Sequence, residues 1–214
     1  MGPTMSRTVK PPCPMGKFVV LEGIDGSGTT TQLGLVAQRL RARGHVVHET
    51  REPSGGQWGR QIRELLAAPP SSVNRRTLAQ LFASDRMDHL RDEIMPALHS
   101  GKVVLCDRYV ISSLVYQGLD CDPEWVRKIN RYARPPDLTI VLELPAELAV
   151  ERTAARRQET GESVEIYDQI DTQRRLAEAY RDAIKRYRLA SVNATASVGV
   201  VTELILELCV GIGL

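Results

Sequence analysis

An α/β fold, built as a five-stranded parallel sheet with helices on both faces, is the architecture this 214-residue sequence predicts. Five short apolar runs recur along the chain, and longer stretches with apolar residues at helical spacing separate them. A glycine-rich segment also lies directly between the first apolar run and the first helical pattern. The length suits one domain with a substantial core, and 43% apolar with 25% charged residues is a globular composition.

In chain order, the strands are expected at 18–22, 46–49, 103–106, 138–143 and 189–192. Helical patterns fill the intervals at 30–43, 58–67, 77–99, 112–117, 123–132, 146–157, 168–187 and 201–209. Gly44 and Gly101 each stand between a helical pattern and the next strand, as a C-terminal helix cap does. No internal repeat is present, so the reading is three layers in one domain at 17–214, after a Pro-rich, disordered tail at 1–16. Open parallel sheets bind ligands beyond the carboxyl ends of their strands. Segments 23–30, 51–56 and 107–117 each follow a strand and are therefore expected to gather on one edge.

Composition excludes several classes of partner. The formal charge of +2, from 28 basic and 26 acidic residues, implies no general affinity for nucleic acid. Cys13, Cys106, Cys121 and Cys209 are scattered without a zinc spacing or a disulfide pattern, which fits a reducing cytoplasm. No apolar run reaches the roughly 18 residues of a membrane span, and no membrane association is expected. Gly2 and Ser6 formally match an acylation pattern, but Pro3 beside the glycine argues against it.

The stretch FVVLEGIDGSGTTTQ (18–32) carries the most specific local signal. Gly23, Ile24, Asp25, Gly26, Ser27, Gly28, Thr29 and Thr30 form a GxxxxG loop ending in a hydroxyl residue, between a strand and a helix. Such a loop turns backbone N–H groups around phosphate oxygens, and the helix N-terminus adds its positive end. The hydroxyl of Thr30 is placed to ligate Mg2+. Where the motif has a lysine, this chain has Thr29, with a hydroxyl and no charge. The lysine otherwise stabilises charge on the transferring phosphates. The loop alone leaves open whether the chain transfers phosphate or only binds it.

Other residues extend the pattern. Asp107 ends the apolar run VVLCD, where a carboxylate can hold Mg2+ or its water, and Arg108 supplies a planar fork suited to a phosphate. Phe82 and Arg86, four apart, share one helix face. His45, His48, His89 and His99 show no ligand pattern and are assigned no chemistry.

The segments ETREPSGG (49–56), FASDRMDH (82–89) and DRYVISSLVYQ (107–117), following the phosphate loop in order, resemble thymidylate kinases. RPPDLTIVLELPAELAVER (134–152) and VNAT (192–195) extend the resemblance over about 17–210. It implies a P-loop NTPase fold of the nucleoside monophosphate kinase type, phosphorylating dTMP to dTDP with ATP and Mg2+ in dTTP biosynthesis. By the same resemblance, Phe82 stacks on thymine, Arg86 meets its carbonyl edge, and Tyr116 and Gln117 close over sugar and base. Tyr116 would also exclude a ribose 2′-hydroxyl. Arg108 contacts the acceptor phosphate, Asp25 lies near phosphate and sugar, and Arg51, Ser112 and Ser113 are further acceptor-side candidates, with Glu22 near the phosphates. Arg152, Asn193 and Thr195 fall on the adenine side.

Segment 151–169 corresponds to the family's lid, placed at about 152–168. Family members carry a catalytic arginine in the phosphate loop or in the lid. The loop here has none, so Arg156 or Arg157 is the expected replacement for the missing lysine. The Glu165-Ile166-Tyr167-Asp168 stretch lacks an arginine that many family lids have. A homodimer through side-by-side helices is implied, with 77–99 as the candidate helix. The competing readings are a kinase for another pyrimidine deoxynucleotide and a nucleotide-binding pseudokinase. A complete acceptor-site pattern argues against the second.

Overall fold

The computed structural model describes residues 15–161 and 166–214. The order is β1 (Phe18–Gly23), α1 (Thr29–Ala42), β2 (Val47–Arg51), α2 (Gln57–Leu66), α3 (Arg75–His89), α4 (Met95–His99), β3 (Val103–Asp107), α5 (Val110–Asp120), α6 (Pro123–Ile129), β4 (Leu138–Glu143), α7 (Ala146–Thr160), α8 (Ile170–Tyr187), β5 (Ala190–Asn193) and α9 (Val198–Val210). All strand pairings are parallel, in the order β2-β3-β1-β4-β5. The expected five-stranded sheet is therefore present, and each predicted strand lies within two residues of its observed bounds.

The sheet is buried on both faces at its centre, where β1, β3 and β4 carry runs of consecutive apolar residues, whereas the edge strands β2 and β5 are only partly buried. Phe18, Val20, Val104 and Cys106 pack on one side with Leu90, Ile94, Leu98 and Tyr109. Val19, Leu21, Val103 and Leu105 pack on the other, where α1 contributes Leu33, Val36, Ala37 and Leu40. Gly44 (φ 92°) and Gly101 (φ 78°) take the left-handed conformation expected of them after α1 and α4. The Asn74 side chain caps α3 by accepting from the N–H groups of Arg76 and Thr77, both at 3.0 Å.

The helix expected over 77–99 is interrupted. Residues Leu90–Ile94 form a wide π-type turn between α3 and α4. Pro96 has no N–H to return to the carbonyl of Asp92, and the ladder widens just before it. The expected tail lies outside the described residues at 1–14, but Gly16 N–H bonds to Leu98 O at 2.8 Å, one residue before the anticipated start at 17. The lid segment at 162–165 is likewise outside them. No helix among the described residues is long and apolar enough to cross a membrane. Described Cys106, Cys121 and Cys209 are free thiols.

Gly59 on α2 sits against the loop after β2 so closely that a β-carbon there would overlap the Ser54 carbonyl. Gly59→Ala is expected to lower stability by about 1–3 kcal/mol through this forced separation. Chemical denaturation of the two proteins checks it.

Candidate active site

The three strand-following segments meet, as expected from the topology. They open into a cavity of about 1010 Å³ shared by the glycine-rich loop, Arg51–Pro53, Asp107–Tyr109, α3, α5 and α7.

Gly26 (φ 82°) and Gly28 (φ 92°) adopt left-handed conformations that a side chain would strain. A β-carbon on Gly26 would also collide with the Ala149 carbonyl, so the loop rests directly on α7. The first turn of α1 contains no acidic residue, which leaves its N-terminal dipole uncompensated and facing the cavity. Thr29 is buried in this turn. Thr30 donates its hydroxyl to Asp107 Oδ2, while Asp107 Oδ1 is buried with no hydrogen-bond partner among the described residues. A hydroxyl, a carboxylate and an unused acceptor oxygen beside a phosphate loop fit Mg2+, which keeps most of its waters and needs few protein ligands.

Beside the glycine-rich loop, Arg108 lies in the left-handed region (φ 68°), uncommon for a residue with a side chain. Its N–H bonds to Leu21 O at 2.8 Å, and the next N–H, of Tyr109, bonds to Glu22 Oε1 at 2.9 Å. The guanidinium donates to Asp25 Oδ1 (2.7 Å), Ser112 Oγ (3.2 Å) and the Tyr180 hydroxyl (3.4 Å), and lies 5.0 Å from the centre of the Tyr116 ring. Burial alone would push this guanidinium down, but Tyr116, Asp25, Tyr180 and Asp107 hold it well above its ordinary value. The Tyr116 hydroxyl donates to Asp25 Oδ2 at 3.0 Å. Burial pushes that phenol well up, so it stays a neutral donor.

Glu22 lies fully buried beneath this group. It accepts from the N–H groups of Tyr109 and Ser112 and from the hydroxyls of Ser112 (2.6 Å) and Tyr180 (3.0 Å). Burial raises its pKa, against the pull of these donors and of Arg108.

At the far end, Phe82 and Arg86 line the cavity from α3, and Gln117 does so from α5, its Oε1 buried with no hydrogen-bond partner among the described residues. Arg86 is 1% exposed. It donates to Glu52 Oε2 (2.9 Å), Asn130 Oδ1, Tyr109 O (3.1 Å) and Ser113 Oγ (3.0 Å). Ser112 and Ser113 both line the cavity, where Ser112 bonds to Glu22 and Arg108 and Ser113 to Arg86. The loop after β2 is tied down by Asp85, whose oxygens accept from Ser54 N–H and Ser54 Oγ at 2.6 Å each, and by Arg63, which donates to Pro53 O and Ser54 O. Arg51 is exposed at the cavity rim.

From α7, Arg152, Arg156 and Arg157 line the cavity, as does Tyr167. Arg152 donates to Ala194 O at 3.2 Å, and Arg157 pairs with Asp168. Burial and Asp120 push the Tyr167 phenol up to about 12. Asn193 and Thr195 do not reach this cavity. Asn193 Oδ1 accepts from Thr195 N–H and Oγ1, closing a local turn, and both residues line a separate cavity of about 230 Å³. Their neighbours Ala194 and Ala196 face the main one. Sequence reasoning missed Glu52, Arg63, Asp85 and Tyr180. Glu52 stood inside a recognised motif, whereas Tyr180 carries no local signal.

The Thymidylate kinase family model matches residues 21–205. The chain belongs to this family. A "Probable thymidylate kinase" of Pyrococcus abyssi is 43% identical over 201 residues, covering 90% of this chain and 95% of that protein. A "Thymidylate kinase" of Thermomicrobium roseum is 40% identical over 198 residues, with 88% and 92% covered. One from Methanococcus maripaludis, "Probable thymidylate kinase", is 42% identical over 171 residues, covering 79% and 78%. Thymidylate kinase membership makes the chain a phosphotransferase and accounts for the joining of a phosphate loop to a second, arginine-lined site.

Glu22→Ala is expected to cost about 2–4 kcal/mol, because two backbone N–H groups lose their buried acceptor. Glu22→Gln keeps an acceptor oxygen for both, and the two hydroxyls can turn to accept from its amide, so less than half that loss is expected. Urea denaturation of the pair separates the outcomes.

Proposed function

We propose that this thymidylate kinase family member transfers the γ-phosphoryl group of ATP to the 5′-phosphate of dTMP, releasing ADP and dTDP. The observation that carries this reading is one cavity holding both the phosphate loop and the Phe82–Arg86–Gln117 and Arg108–Asp25–Tyr116 groups. In this reading Phe82 stacks on thymine, and Arg86 and Gln117 read its polar edge. Tyr116 fills the space of a ribose 2′-hydroxyl. Arg108 exchanges part of its bond to Asp25 for the acceptor phosphate, whose oxygen attacks the γ-phosphorus directly. The protein's part is alignment, charge compensation and exclusion of water. Thr30 and Asp107 would hold Mg2+ or its waters, and the ion would neutralise the β- and γ-phosphates.

Thr29 leaves the loop without its usual charge, and the reading assigns compensation to the lid. Arg156 and Arg157 stand across the same cavity, and Arg157 is already steered by Asp168. Arg152, beside Ala194, packs on the donor base. A homodimer is part of the proposal, formed through the long helical segment 75–99, on which Met87 is exposed. Analytical ultracentrifugation is expected to give twice the 23.8 kDa chain mass.

The deciding experiment follows ADP release with ATP, Mg2+ and dTMP, beside Thr29→Lys, with dUMP, dCMP and dGMP as alternative acceptors. Activity in the unsubstituted chain with dTMP preferred supports the proposal. Preference for another pyrimidine changes the acceptor. Inactivity that Thr29→Lys relieves establishes a nucleotide-binding scaffold without transfer. Arg156→Ala and Arg157→Ala are each expected to lower kcat about tenfold or more, and the double change further. Unchanged kcat in all three removes the lid from the mechanism.

A further inference from the structure

His89 ends α3 with its side chain at 0% exposure, and the reaction proposed above does not use it. Its Nδ1 lies 3.3 Å from Glu52 Oε1, and its Nε2 lies 2.7 Å from the Thr50 hydroxyl. Glu93, in the wide turn that follows α3, approaches Nε2 at 3.5 Å and pairs with His48 at 2.9 Å. The titratable groups facing the ring are therefore Glu52 on one side and Glu93, backed by His48, on the other. Glu52 divides its two oxygens between neighbours. Oε1 meets His89, while Oε2 lies 2.9 Å from Arg86 Nε and 2.6 Å from Arg86 Nη2. A side-chain carboxylate 3% exposed cannot turn to water for a missing partner, so the orientation of Glu52 depends on both bonds.

We propose that His89 is a positioning residue for acceptor recognition: its Nδ1–H fixes Glu52, and Glu52 fixes the Arg86 guanidinium in the cavity wall. The inference rests on the reading of Arg86 as a base-binding group. Neither His89 nor Glu52 sends a side chain to Thr30, Arg108 or the lid arginines. Loosening this chain of contacts therefore weakens binding of the acceptor and leaves donor binding and the transfer step in place. The carboxylate can only accept, so Nδ1 carries the proton and the Thr50 hydroxyl supports Nε2.

The test exploits the difference between the two amides. Asn sets its N–H near the position of Nδ1, whereas Gln sets its amide near Nε2. His89→Gln is expected to raise the KM for dTMP about tenfold, the cost of one hydrogen bond to a buried charge. Its kcat should stay within about twofold and its KM for ATP should not change. His89→Asn should restore most of the dTMP affinity. Equal KM values for dTMP in the two variants, or a KM for ATP that moves in step, overturn the proposal. Arg86→Lys is measured beside them. If it leaves the KM for dTMP unchanged, base reading by Arg86 fails and the proposal with it. If it raises that KM while His89→Gln does not, only the positioning role of His89 is refuted. Should the variants fold poorly, 15N NMR of the unsubstituted full chain decides. A protonated Nδ1 whose resonance shifts on adding dTMP but not ATP supports the assignment, and an unprotonated Nδ1 overturns it.

Discussion

A carboxylate sealed from water at the end of the central strand is the constraint on which the transfer site depends. Glu22 belongs to β1, yet two of the N–H groups it accepts, those of Tyr109 and Ser112, belong to the start of α5. It thus caps a helix from another element and welds that helix to the sheet. Removing a charge from water is costly, and the upward shift of the Glu22 pKa expresses that cost. The four donors around it offset the penalty only in one geometry. That geometry forces Arg108 into the left-handed region and aims its guanidinium at Asp25. With the start of α5 fixed, helical spacing does the rest: Ser112 and Tyr116 lie on one strip, and Ser113 and Gln117 on the next.

The cavity is rich in arginines, and its deep ones are paired before any substrate arrives. Arg108 meets Asp25, Arg86 meets Glu52, and Arg157 meets Asp168. These pairs differ in kind from solvent-exposed ones such as Arg174 with Glu147, which water and salt screen. In a poorly hydrated site each pairing holds its arginine in one orientation, at the price of having to yield oxygens to an incoming phosphate. A chain lacking the loop lysine is therefore not short of positive charge near the phosphates. It lacks a mobile charge rooted in the loop itself, and the remaining cations arrive from α3, from the segment between β3 and α5, and from α7.

Most of the fold was legible because it depends on local signals: runs of consecutive apolar residues in the central strands, Gly44 and Gly101 at helix ends, and a glycine loop between strand and helix. The gathering of three segments on one edge followed from parallel topology alone. What stayed hidden depends on distance along the chain or on side-chain direction. Tyr180 reaches Glu22 across 158 residues, and nothing near position 180 announces it. Asn193 and Thr195 matched a motif by type, but the Asn193 turn points them away and leaves Ala194 and Ala196 at the cavity. Ser112 and Ser113 were legible as polar residues at a helix start. Their service to Glu22 and Arg86 appears only once the charges are in place.

The same distinction explains how one helical segment, FASDRMDH, contributes twice. Phe82 and Arg86 occupy one strip of α3 and face the cavity, whereas Asp85 and His89 occupy the adjoining strip and face the loop after β2. Asp85 grips Ser54, His89 meets Glu52, and both therefore fix how α3 is rotated about its axis. Rotation of that helix by one residue would carry Phe82 and Arg86 out of the cavity together. The Phe82–Arg86 end of the cavity is thus anchored through α3 and the loop after β2, and the Arg108–Asp25 end through β1 and the start of α5. Arg86 joins the two, because its guanidinium reaches Tyr109 O and Ser113 Oγ as well as Glu52. An arginine buried this completely can couple the ends of the cavity only because every element around it presents a matching oxygen.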